Sequence, residues 1–107
     1  MITYSIRILG VREDVATRLR SEFPEHEISI GRYYKDRSKY VVAVALDQQA
    51  PNDKIAAYLS SKFKEEERDV FVSMSTSSDS DICEVPRWVL EVVSRLGGSL
   101  VFSFTVC

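Results

Sequence analysis

The sequence predicts an α+β fold with elements in the order βαββαβαβ. Three observations carry that expectation. Five segments alternate apolar and polar residues with the period of a strand, and three more space apolar residues three or four apart, as one face of a helix does. Turn-forming residues separate them. Alternating strands imply a sheet covered on one side only, which is the habit of largely antiparallel sheets.

The elements follow in order. Ile2, Tyr4, Ile6 and Ile8 alternate with Thr3, Ser5 and Arg7, a half-buried strand that Gly10 is expected to end. Val11, Val15, Leu19 and Phe23, with Ala16, form a helical stripe closed by Pro24. Residues 28–34 and 39–46 read as two strands joined by the polar turn 35–38. Pro51-Asn52-Asp53 opens a second helix, whose stripe Ile55, Leu59 and Phe63 runs to about Lys64. Residues 65–68 are expected as the solvated end of that helix, and 70–74 as a strand. Residues 75–81 form a polar loop. Val85, Trp88, Val89, Val92, Val93 and Leu96 make a third stripe with Pro86 in its first turn, stopped by Gly97-Gly98. Leu100, Phe102, Phe104 and Val106 alternate as a last strand.

The first six elements have the split-βαβ order of a ferredoxin-like core, to which a helix and a strand are added. The expectation is a mainly antiparallel five-stranded sheet with three helices packed on one face, all within one domain over residues 1–107. The place of the fifth strand is not readable.

Composition removes several classes of function. Net charge is −2 with 14 Lys+Arg against 16 Asp+Glu, and the isoelectric point is near 5.4. That balance opposes an electrostatic binder of nucleic acid. No apolar run approaches the roughly 18 residues of a membrane span, and residues 1–7 do not read as a secretory signal. Cys83 and Cys107 suit reduced thiols, so a cytoplasmic setting without membrane association is expected.

The groupings that support catalysis are also missing from the pattern. His26 has no carboxylate or thiolate companions at ligand spacing and is expected as a surface residue. Asp79-Ser80-Asp81 begins like a calcium loop, but Glu84 falls where glycine is needed and Leu90 where the bidentate glutamate belongs. Four glycines make neither a Walker loop nor a dinucleotide fingerprint. The expectation is a chain that is not an enzyme, with no cofactor and no metal. Trp88 and Tyr58 are read as core.

Two surface constellations remain. The segment 31–39 combines four cations, one anion and the pair Tyr33 and Tyr34. Such a mixture fits a protected sheet edge or a contact surface, but it lacks the aromatic run of an RNA-binding strand. The acids gather later in the chain: residues 1–40 carry +2 and residues 41–107 carry −4. Asp79, Asp81 and Glu84 in a polar loop, with Glu65, Glu66 and Glu67, form a candidate surface for a basic protein.

The opening Tyr4-Ser5-Ile6-Arg7-Ile8-Leu9-Gly10 and the closing stretch from Val85 to Phe104 resemble a family of small standalone bacterial domains. Its members are similar to the immunity proteins that accompany polymorphic or contact-dependent inhibition toxins. The resemblance implies a cytoplasmic protein whose partner is a cognate toxin domain. That domain is expected to be basic and a nuclease, neutralised by occlusion of its active site. Asp79, Asp81, Glu84, Glu65, Glu66, Glu67, Tyr33 and Tyr34 are the expected contacts. The alternatives are a small-molecule-binding regulatory domain of the ferredoxin-like, amino-acid-sensing type and an RNA-binding module.

Overall fold

The computed structural model describes residues 2–48, 52–63, 66–76 and 84–106. The elements are β1 (Ile2–Val11), α1 (Glu13–Glu22), β2 (Ile28–Arg32), β3 (Tyr40–Ala45), α2 (Asn52–Lys62), β4 (Glu67–Thr76), α3 (Arg87–Leu96) and β5 (Ser99–Val106). Three helices thus accompany a five-stranded open sheet of order β2-β3-β1-β4-β5. The β2–β3, β3–β1 and β1–β4 pairs are antiparallel, whereas β5 lies parallel to β4.

Period two decides which strand residues are buried. Ile6 stands opposite Val44 on one side and Val70 on the other, and Ile28 opposite Val44. These residues share one face with Ile8 and Val42. The inner stripes of the helices close over it: Ala16 and Leu19 of α1; Ile55, Ala56 and Leu59 of α2; Val89, Val92 and Leu96 of α3. The other face has no helix over it among the described residues.

β1 does not stop at Gly10. The register with β3 shifts between Leu9 and Val11, and Gly10 takes φ +83°, so one extra residue is inserted without ending the strand. The insertion reverses the alternation. Val11, which would otherwise share the open face with Leu9, turns into the core and is 2% exposed.

β4 starts earlier than the hydrophobic pattern suggests. Glu67 and Arg68 are its first residues and not the end of α2, because they pair with Leu9 and Ile8. Arg68 has a further task. Its Nε donates to the Leu96 carbonyl at 2.8 Å and its Nη1 to the Phe63 carbonyl at 2.7 Å. One guanidinium therefore serves carbonyls at the ends of both α3 and α2, which have no partner within their own helices. Gly97 ends α3 in the left-handed conformation, φ +72°, with its N–H on the Val93 carbonyl. Pro86 precedes the helix as its N-cap residue and does not enter the first turn.

His26 is buried, contrary to expectation. The chain folds back between α1 and β2 so that Nδ1 lies 3.4 Å from the Ala45 carbonyl, and the ring stands edge-on to Phe23. Trp88 and Tyr58 are half-buried against the core. Trp88 meets Tyr4 edge-on at 5.5 Å, and the Tyr58 hydroxyl donates to Glu22, tying α2 to α1.

Candidate functional site

The Gly10 bulge also makes room for a cleft. A Cβ at Gly10 would lie 3.7 Å from the Tyr33 ring, an ordinary contact, so the β2–β3 loop lies against β1 here and what calls for glycine is its φ of +83°. The loop braces itself. The Tyr33 N–H donates to the Lys39 carbonyl and the Lys39 N–H to the Asp36 carbonyl, both at 3.0 Å. Asp36 accepts from the Ser38 hydroxyl at 2.6 Å and the Ser38 N–H at 3.0 Å. Those two bonds favour the carboxylate, and they hold the Asp36 pKa below its ordinary value. Arg32 spans the same loop to the Arg37 carbonyl at 2.8 Å.

The result is an open cleft of about 320 Å³ between the loop and the start of β4. Tyr33, Asp36, Lys39, Glu66 and Glu67 line it, over Leu9 and Gly10. Tyr33 is buried in the wall, while Tyr34 is 80% exposed and stands edge-on to it at 5.7 Å. Three carboxylates and one amine give the floor negative charge. Lys35 and Arg37 are exposed on either side of Asp36 in the loop, so acids and cations are interleaved within one site.

The cleft continues onto the open face. Leu9 stands opposite Glu67, and Arg7 opposite Asp69 two residues further along. Arg7 reaches both oxygens of Asp69, at 2.8 and 2.7 Å, and its guanidinium lies 4.2 Å from the Phe71 ring centroid. The paired carboxylate raises the Arg7 pKa, first through these bonds and against partial desolvation. From Arg7 toward β3 and β2 the face is built of small residues, Ala43 opposite Arg7 and Ser29 opposite Ala43. Thr3, Ser5, Ser29 and Ala43 help to line a shallow depression of about 250 Å³.

No family model matches the chain, and neither the curated proteins nor the solved structures contain a match.

The expected contact residues separate in space. Tyr33, Tyr34, Glu66 and Glu67 come together at the cleft. Glu84 does not. The Leu96 carbonyl meets Arg68 beside Glu67, and α3 runs ten residues back from there, a length of about 15 Å. Glu84 precedes that helix, at the opposite end of β4. Glu65, Asp79 and Asp81 lie outside the described residues. The pattern missed Asp36, which looks like an ordinary turn residue, and it missed the Arg7–Asp69 pair. Alternation does place Arg7 on the wet face, but nothing local links it to a residue 62 positions away.

Among the described residues, no group of three or more His, Cys, Asp or Glu is placed to hold a metal ion, and no helix is long and apolar enough to cross a membrane.

Proposed function

We propose that this chain is a protein-binding module that works as an immunity protein, covering the active-site region of a cognate toxin domain. One observation carries the reading: the cleft at the Gly10 bulge gathers Tyr33, its exposed neighbour Tyr34 and three carboxylates, Asp36, Glu66 and Glu67. Tyrosine supplies broad, stiff contact area, and aromatic residues are enriched at protein interfaces. The interleaving of acids with loop cations favours a protein that presents charges of both signs. A bare phosphate backbone would meet the three carboxylates. The sheet order β2-β3-β1-β4 supports the ferredoxin-like core as its framework, with β3 lying between the two strands that α1 connects.

The test is binding to, and protection against, the toxin domain encoded beside this chain's gene. Expected is a 1:1 complex that weakens as salt rises, with Glu66→Lys/Glu67→Lys lowering affinity at least about tenfold through slower association and lost pairing. Absence of both binding and protection overturns the reading. If charge reversal of Asp79 and Asp81 abolishes binding while Glu66→Lys/Glu67→Lys leaves it intact, the contact surface moves away from the cleft.

A further inference from the structure

The two edges of the sheet are unlike. β2 is five residues long, ends in Gly31 and Arg32, and so carries the short length and charge that blunt an edge. β5 has neither protection. Its eight residues, Ser99 to Val106, include no charged side chain and no proline. Its register with β4 runs unbroken from Asp69↔Ser99 to Thr76↔Val106. Among the described residues no strand pairs with its outer side. Two of the most exposed large apolar side chains belong to this flank. Phe102 on β5 is 57% exposed and Leu90 on α3 is 49% exposed. The Arg95–Asp53 ion pair marks the side of α3 that meets α2, and Leu90 lies on the opposite flank, toward β5.

We infer that β5 pairs with β5 of a second copy of this chain, antiparallel about a twofold axis, to make a continuous ten-stranded sheet. A neutral strand offers no charge with which to select a different partner, whereas the same residues complement themselves in an isologous contact. Geometry fixes the register. Residues directly opposite one another must share a face, so the axis passes through a residue and not between two. Placed at the exposed Phe102, it sets Phe102 against its own copy and Val101 against Ser103. Pairing over residues 99–105 would form about six to eight backbone hydrogen bonds, within the range of ordinary specific interfaces. None of the cleft residues takes part, so a dimer would keep two open clefts.

Sedimentation equilibrium of the full chain tests this. A dimer near 24 kDa is expected, twice the 12.2 kDa chain. Phe102→Lys and Phe102→Glu, each with unchanged circular dichroism, should weaken self-association at least about tenfold, since like charges would stand opposite across the axis. Mixing the two variants should restore a dimer, because Lys then faces Glu. A loss due only to damaged folding would not be reversed by mixing. A wild-type chain that stays monomeric at several hundred micromolar overturns the inference. So does a dimer that survives both substitutions, or a mixture that stays monomeric.

Discussion

Removing Arg7 is expected to be among the most damaging single changes on the open face. Asp69 is only 6% exposed although no helix among the described residues is packed over that side of the sheet. Both its oxygens are held by one guanidinium, which is itself 26% exposed at the side chain. Arg7→Leu leaves a carboxylate sunk among strand side chains with no cation to meet it. Breaking a fully buried pair costs about 3–5 kcal/mol, and because water reaches Arg7 the cost here should fall at the low end, about 3 kcal/mol. For a chain of this size that lowers the melting midpoint by roughly 10 °C or more. Asp69→Leu should cost less, about 1–2 kcal/mol, because the long arginine can swing to solvent while keeping contact with Phe71. The double variant should lose much less than the sum, giving a coupling of about 1.5–3 kcal/mol. Urea denaturation followed by circular dichroism measures all four corners of the cycle. Repeating it in 1 M salt distinguishes a shielded pair from a surface one, since only the latter is screened away. Additivity within about 0.5 kcal/mol, or a coupling that disappears in salt, would refute the claim that this pair anchors the face.

Other perturbations probe the remaining devices. Gly98→Ala would put a Cβ 2.5 Å from the Arg68 carbonyl oxygen and 3.1 Å from its carbon. The backbone must shift, and a loss of about 2–3 kcal/mol is expected by chemical denaturation. Gly97→Ala, which only strains a left-handed cap, should cost about 1–2 kcal/mol. Arg68→Ala frees the last-turn carbonyls of two helices at once, and amide exchange should rise at the ends of both α2 and α3. Asp36 should titrate below the ordinary aspartate range by carbon-detected NMR, and Ser38→Ala should move it only part of the way back, because the backbone N–H of residue 38 still donates to it. Because the folded-state pKa is the lower one, the bracing of the loop is intact at neutral pH. It weakens only as acid carries the pH down through that depressed pKa.

Local pattern was a good guide wherever a residue's fate depends on its near neighbours. Ile6 and Ile8 are buried because period two leaves them no choice, and Leu19, Leu59 and Val92 because their helices have a single apolar stripe. It misled wherever one residue changes the phase or a distant segment supplies the partner. Gly10 reads locally as a stop, yet a left-handed glycine can equally insert one residue and let the strand resume, and only the apposition of β3 decides between the two. Glu67 and Arg68 read as a charged helix exit, yet the free carbonyls of two helix ends and the pairing edge of β1 draw them into β4. The candidate site has the same character. Tyr33 and Tyr34 are a visible motif with Asp36 two residues on, but Glu66 and Glu67 come from the start of β4. What brings those two to the loop is β1, which pairs with β4 and carries the extra residue beside Tyr33, and nothing in local spacing. Removing the bulge should therefore dismantle the cleft without touching any residue that lines it with charge. Deleting Gly10 does this with the core intact, because Val11 then follows Leu9 directly and period two keeps it on the face of Ile8, still opposite Tyr40. Partner affinity should therefore fall while the urea midpoint moves little, and a deletion variant that binds as tightly as the wild type would refute the role given to the bulge. Core and cleft answer to different features of β1: alternation fills the one, and the extra residue shapes the other.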